Sequence, residues 1–441
     1  MSRKLLILAG IMLIAVPAFS AVQNVKVSGD ITTYAVWQDE FDLNDNSDSV
    51  SASNIGLDDE GQLVTIARLR VDADLTDNVS ATVRLISELD WGNPDTTYEY
   101  NDDETVSIDL AYLTLKEMFY SPLTVIIGRQ ELRYGSALIV GDPDTNAAAD
   151  ANGLTGNVDF LSKRKAFDAI RAILDYDPWT IDVIYAKIDE VYENTNSEDE
   201  DLYGVNVAYK FVDYDAEAEG YFFYKDDNAQ DIWVLGARGS LVPVDGLTVG
   251  AELAYQGGDY TTAAGASRDQ DAWAATVYGQ YTWATEYEPS VKLCYDYRSG
   301  QDTSKSTGDY EAWLPLYEDQ TKGLIADYLF AGTNNGVSSN CHIINLGGSF
   351  RPLEDLKVSL DWYHYILDED LNAGSLSGTV TRYSMTDDDD FGDEIDLVLT
   401  YDYTEDVQFG LQAGWFLPGD AFANANDDDA MEVIGSVSVS F

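Results

Sequence analysis

The stretch MEVIGSVSVSF, Met431 to Phe441, decides the fold. Met431, Val433, Val437, Val439 and Phe441 share one side of an extended chain, while Glu432, Ser436, Ser438 and Ser440 share the other. A period of two means that one face meets an apolar medium and the other meets water. A strand in that setting leaves raw backbone edges unless the sheet closes on itself. The edge strand of a water-soluble sandwich would carry the same local pattern, so the remaining chain must choose between the two.

Upstream the same pattern recurs. Val25–Phe41 places Val25, Val27, Ile31, Thr33, Ala35 and Trp37 on one face. In LVTIARLRVDADL, Ala67, Leu69, Val71, Ala73 and Leu75 alternate with Arg68, Arg70, Asp72 and Asp74. Charges at every second position point into water, not into lipid or a dry core. Similar runs cover about 79–89, 104–118, 122–134, 167–177, 179–189, 201–212, 214–225, 231–242 and 247–257. The series goes on through about 271–284, 288–299, 341–351, 356–367, 393–403 and 407–417. With the first two and the last this makes about 18 strands, an even number as single-chain bacterial barrels have.

Connections alternate between tight turns, such as 76–78, 177–179, 213–214 and 404–406, and long polar loops, such as 42–61, 135–166, 299–340 and 368–392. Short periplasmic turns and long external loops are the signature of an outer-membrane barrel. The expected fold is therefore all-β: one transmembrane antiparallel β-barrel over residues 21–441, with no linker and no second domain. After residue 20 no apolar run approaches the roughly 20 residues that a spanning helix needs, so strands are the remaining way across. The 29 Tyr and 9 Trp suit interfacial girdles at both ends of a lipid-facing band.

Residues 1–20 read as a secretory signal: Arg3 and Lys4, an apolar run from Leu5 to Val16, then Ala18-Phe19-Ser20 as a small-x-small cleavage site. The expected location is the bacterial outer membrane after Sec-type export. The terminal Phe441 resembles the signal through which the barrel-assembly machinery accepts such chains. The formal charge of −54 excludes nucleic acid as a partner. The expected partners are membrane lipid and polar or anionic saccharide solutes. Cys294 and Cys341 belong to an exported chain and are either a disulfide or two thiols on adjacent strands.

If one face meets lipid, the other lines a bore. Strand parity then nominates Arg68, Arg70, Arg84, Arg129, Arg133, Arg171, Arg238 and Arg298 as wall residues, with Asp109 and Glu131 among the opposing acids. Opposed charges on a pore wall orient water and polar solutes; the plainer reading is that they pair across strands and keep the bore wet. Acidic loop runs, Asp387, Asp388, Asp389 and Asp390 among them, are candidates for loop-bound Ca²⁺, a hard ion that wants many oxygens. No other cofactor is expected. Only His342 and His364 occur, without a nucleophile-elbow or zinc spacing, so an enzyme is not expected. The loop 299–340 holds Trp313, Leu314, Leu316, Tyr317, Tyr328, Leu329 and Phe330, which must pack on something. It and the loop 135–166 are each long enough to fold inward and narrow the bore.

The stretch VIIGRQELRYGSALIVG, Val125 to Gly141, resembles the alginate-export family of outer-membrane porins. The matching positions are Gly128, Arg129, Gln130, Tyr134, Gly135 and Gly141, followed by Arg164, Phe167 and Asp168. The resemblance implies an 18-stranded barrel that passes an anionic polyuronate or similar solute. It carries Arg129 and Arg164 over as candidates for meeting sugar carboxylates. The functional expectation is a passive porin for anionic, alginate-like polysaccharide or small polar solutes. The alternatives are a general cation-tolerant porin, or a plugged structural or adhesive barrel whose acidic loops bind divalent ions.

Overall fold

A computed structural model describes residues 24–44, 60–91, 106–120, 122–143, 160–190, 199–227, 230–261, 265–302, 304–305, 307–330, 336–371, 375–377 and 382–441. The expected signal peptide lies outside the described residues. In chain order the strands begin with β1 (Asn24–Asp39), β2 (Glu60–Thr76), β3 (Val79–Asp90), β4 (Ser107–Leu115), β5 (Leu123–Glu131), β6 (Ala166–Asp175) and β7 (Trp179–Asp189). Next come β8 (Glu200–Phe211), β9 (Ala216–Asp226), β10 (Gln230–Val244), β11 (Leu247–Thr261), β12 (Ser267–Thr282) and β13 (Ser290–Arg298). The last are β14 (Cys341–Leu353), β15 (Leu356–Leu367), β16 (Ser375–Ser377), β17 (Arg382–Ser384), β18 (Asp390–Asp402), β19 (Val407–Pro418) and β20 (Ala430–Ser440). A short helix, α1 (Ile325–Phe330), lies in the β13–β14 loop.

All but β16 and β17 join one 18-stranded antiparallel sheet, which closes where β1 pairs with β20. The small β16–β17 hairpin within the β15–β18 loop was not foreseen from sequence. At the closure Thr33 faces Val437 and Asp30 faces Ser440. Beyond the strand, Gly29 N donates to Phe441 O at 2.9 Å and Phe441 N donates to Gly29 O at 3.0 Å. The terminal residue therefore locks the seam. The expected parity holds along β20: Met431, Val437, Val439 and Phe441 are exposed on the outer wall, while Glu432 and Ile434 are buried within.

Outside, Val27, Ile31, Leu113, Ile127, Ile170, Leu235, Leu253, Val277, Leu293 and Leu360 form the apolar band. Aromatics flank it at both edges. Trp179, Tyr214, Trp283, Tyr287 and Tyr403 mark the turn side. On the loop side Tyr185, Tyr203, Tyr224 and Trp233 stand side by side across β7 to β10, and Tyr255 packs on Trp273 at a ring separation of 4.6 Å. Such girdles sit at headgroup level.

Above that girdle runs a charged row. Arg129 on β5 faces Asp168 on β6, and Asp168 faces Lys187 on β7, which faces Asp201 on β8. The row continues with Asp226, beside Asp231, then Asp259 and Asp269 on β11 and β12. Signs alternate at first and are then all negative. Like charges directly opposite one another across strands repel, at about 0.2–1 kcal/mol per pair. Asp231→Asn is therefore expected to raise the melting temperature of the detergent-folded protein modestly, and more at low salt than at high salt. A fall in melting temperature would mean that the row is held by attractions.

Candidate functional site: the loop-narrowed bore

The bore is not empty. The segments following β5 and β13 fold into it and join each other. Val140 bridges Tyr317 in parallel. Tyr317 N donates to Ile139 O at 3.0 Å, Gly141 N to Tyr317 O at 2.7 Å, and Asp319 N to Ala137 O at 3.0 Å. The apolar residues of these loops find their partners here. Leu138, Val140, Trp313, Leu314 and Tyr317 pack on the inward faces of β6 to β12, against Phe167, Ile184, Tyr221, Phe223, Val234 and Ala274. Tyr328, Leu329 and Phe330 of α1 pack on Ile343, Tyr365, Phe391 and Phe416 from β14, β15, β18 and β19.

Polar side chains on the wall hold the loops in register. Gln256 on β11 donates to Leu314 O at 2.7 Å and accepts from Leu314 N at 2.9 Å. Gln270 on β12 donates to Ala312 O at 2.8 Å. Arg298 at the end of β13, 1% exposed, donates to Val337 O at 3.1 Å and to Gln320 Oε1 at 2.5 Å. Lys322 Nζ reaches Asp296 Oδ1 at 2.8 Å. Glu394 on β18 accepts from Ile325 N at 2.7 Å and Ala326 N at 2.9 Å, and Asp396 accepts from Leu324 N at 3.1 Å. Charge-assisted bonds of this kind are the stronger class of hydrogen bond. They sit where a wholly apolar wall would leave loop backbone groups unpaired.

The expected wall residues divide into two sets. Arg68, Arg70, Arg84, Arg171, Arg238 and Arg298 have inward parity, Arg298 lying covered beneath the β13–β14 loop. Arg68 pairs with Asp30 at 2.9 Å, and Lys163 joins the same carboxylate at 3.2 Å. Arg70 grips Asp72 at 2.8 Å. Arg84 clasps both Asp109 and Glu131. Arg164 Nε lies 2.9 Å from Glu88 Oε2, Arg171 meets Asp182 at 2.6 Å, and Arg238 meets Glu219 at 3.2 Å.

Two placements differ from expectation. Arg129 belongs to the outer row, not the bore. It shares parity with the exposed Ile127, pairs with Asp168 through Nε at 2.9 Å and Nη2 at 2.6 Å, and lies opposite Asp168 in the ladder. The Gly-Arg-Gln and Phe-Asp parts of the motif are thus two halves of one β5–β6 clasp. Gln130 points inward, opposite Phe167, and donates to Ala169 O at 3.0 Å. Arg133 lies past the end of β5, on the loop, where it pairs with Asp319. Burial raises the Asp319 carboxyl, but the bond and charge of Lys165 and the charge of Arg133 outweigh that and hold it below the usual carboxylate range.

Sequence reading missed Gln256, Gln270, Glu394 and Lys322 as loop anchors. The one available signal was the apolar set at 313–330, which demanded a surface to cover.

Asp387–Asp390 form the turn into β18, where Asp390 N donates to Asp388 Oδ1 at 3.0 Å. Among the described residues no group of three or more His, Cys, Asp or Glu side chains is arranged to hold a metal ion. Both cysteines are free: Cys294 faces Asn345, and Cys341 faces Arg298. His342 and His364 meet Asp368 and Asp393, each at 3.2 Å.

Eighteen staggered strands enclose a bore wider than one set of side chains can fill, and the inward loops narrow it between charged walls. No curated protein matches the chain in sequence. Solved structures resemble it across nearly its whole length. OccK3 (OpdO) of Pseudomonas aeruginosa superposes with a TM-score of 0.59 at 10% identity, covering 96% of this chain and 97% of its own. OpdQ of the same organism gives 0.57 at 13% identity, covering 96% and 99%, and OccD3 (OpdP) gives 0.55 at 10%, covering 95% and 93%. At these identities the likeness speaks to the barrel alone. The family model described as alginate export matches residues 40–436, and the chain accordingly belongs to the alginate export family, as a porin of the bacterial outer membrane.

Proposed function

We propose that the protein is a passive channel for small polar solutes, with a bias toward cations. The observation that supports this most is the pairing of wall charges around the inward loops. Arg68, Arg70, Arg84, Arg171 and Lys292 each lie within 3 Å of a carboxylate oxygen. Surplus acids remain on the β8 to β20 side, where Glu217, Glu219 and Glu252 face one arginine, Arg238, and one lysine, Lys210, across the ladder. Solutes would cross by diffusion past the joined loops, sorted by width and by wall charge. A long polyanion would meet few unneutralised cations and considerable repulsion.

A second reading, passage of an anionic polyuronate, draws on the family and on one feature of the wall. Arg68, Arg70, Arg84, Lys163 and Arg164 all gather on the β2–β3 side. Reversal potentials across a salt gradient in planar bilayers separate the readings. The expected sign is a modest cation preference at neutral pH. A clear anion preference would move the substrate to the polyuronate class, and no conductance at all would leave only a plugged structural barrel.

A further inference from the structure

The ladder between β4 and β5 is the shortest in the barrel. It runs from Leu115, facing Val125, to Ala111, facing Arg129, and stops after five positions. On either side of it, β3–β4 spans eight and β5–β6 spans nine. Two local features end it. Between β3 and β4 the register shifts: Arg84 faces Leu110 but Leu85 faces Ile108, so Asp109 is an extra residue, a bulge. Bulges re-aim side chains and terminate pairing. On β5, Gly128 holds a positive φ of 121°, and a Cβ there would stand 2.2 Å from Ala111 O. Beyond Arg129, β5 continues with β6 alone, Gln130 facing Phe167 and Glu131 facing Ala166. β4 continues with β3 alone, Ile108 facing Leu85 and Ser107 facing Ile86. The wall therefore parts at the level of the charged row, above the hydrocarbon, where water can serve unpaired backbone groups.

Side chains close the parted wall from both faces. Inside, Arg84 on β3 clasps Asp109 on β4 and reaches across to Glu131 on β5. Outside, Arg129 Nη1 donates to Ile108 O at 3.3 Å while Nε and Nη2 hold Asp168. Gln130 Nε2 donates to Gly128 O at 3.1 Å and Ala169 O at 3.0 Å, on its own side of the seam. Among the described residues, the bonds that cross are thus Arg84 to Glu131 and Arg129 to Ile108 O. Their outer partners are exposed, Glu131 by 48% and Arg129 by 43% of the side chain, and exposed ionic contacts hold weakly. The closed seam also leaves Asp109 Oδ1 buried without a hydrogen-bond partner, a costly state that parting would relieve by admitting water. We propose that this seam is a side port, latched by those two bonds, through which the bore meets the lipid headgroup layer. Its rim carries Arg84, Asp109, Glu131 and Arg129, so it suits the polar head of an amphiphile and not a hydrocarbon chain. The inference concerns the wall and stands whichever solute the bore passes.

The test places a reporter thiol on the bore side of β4 with Tyr112→Cys, in protein whose own cysteines are replaced by Cys294→Ser and Cys341→Ala. The folded protein is put into phosphatidylcholine vesicles containing phosphatidylethanolamine that carries a maleimide on a short headgroup tether. Labelling by this lipid is expected to be slow with the latch intact. It should be about tenfold faster in Glu131→Ala and faster still with Arg129→Gln added, while a small water-soluble maleimide labels all three alike. Hydrogen exchange in nanodiscs reads the same opening without a reporter. The amides of residues 107–110 and 129–131 should exchange about tenfold faster in Glu131→Ala, with β11 unchanged, and gel migration verifies that each variant is folded. Lipid labelling that ignores both latch substitutions, or exchange in these segments as slow as in β11 for every variant, overturns the port.

Discussion

Replacing Arg298 with alanine is expected to raise single-channel conductance several-fold while the barrel stays folded. The guanidinium is almost wholly buried and bonds to Val337 O and Gln320 Oε1, with Glu318 at 3.7 Å. It therefore ties both halves of the β13–β14 loop to the wall, on either side of α1. Removing one partner from a buried charged network costs roughly 3–5 kcal/mol, because the remaining groups stay buried and unpaired. That cost falls on the seating of the loop, since the β12–β13–β14 ladder is made by backbone groups that the substitution leaves intact. The loop can then leave the bore and regain water for its polar groups. Conductance and its noise in planar bilayers, alongside thermal unfolding in detergent, read the two effects separately. Unchanged conductance would show that the loop is seated by its apolar residues alone. Unfolding of the whole protein would show that the loop is a core the barrel requires.

Much of the barrel was legible in the sequence because the cause of the pattern is local. Each strand residue sees either hydrocarbon or the interior, and alternation writes that partition into a dozen residues at a time. The 18 runs, their turns and the terminal seam follow from it. The arrangement within the bore does not. Gln256 meets Leu314 and Glu394 meets Ile325 across long stretches of chain, and no period records such contacts.

Arg129 shows where the local rule itself inverts. Near the loop side the outer wall rises out of hydrocarbon and turns charged, as at Arg129, Asp168 and Asp231. At the same height the inner wall turns apolar, because Phe167, Phe223, Ile232 and Ala272 are covered by the inward loops. Charge parity names the bore in the middle of a strand and the outside at its upper end. The misplacement of Arg129 is the expected error of a rule applied past its range. The same inversion explains why the inner face of β2 changes from Arg68 and Arg70 to Val64 and Ile66, which are fully buried.

Substituting Gly29 with valine is expected to open the seam and to lower the temperature at which the folded band is lost on a gel. Gly29 lies on β1, between β2 and the chain end that follows β20: it faces Leu69 on β2 and exchanges two backbone hydrogen bonds with Phe441. A Cβ at this position would stand 2.6 Å from Arg68 O and 2.7 Å from Cζ of the Phe441 ring. The ring can swing into lipid, but the carbonyl is backbone and can yield only if β2 shifts. Crowding of this kind costs about 1–3 kcal/mol where the surroundings are well packed. Here it also detaches the residue that covers the edges of β1 and β20, and a sheet with raw edges in lipid has no water to satisfy them. Alanine at the same site meets the same carbonyl with less bulk against the ring, so it should lie between wild type and valine. Assembly into membranes should suffer more than stability once folded, because closure is the step that β1 and β20 must complete together. If the valine variant assembles and melts like wild type, the closure does not depend on the packing of Phe441 over Gly29, and the terminal aromatic acts only through its exposure to lipid.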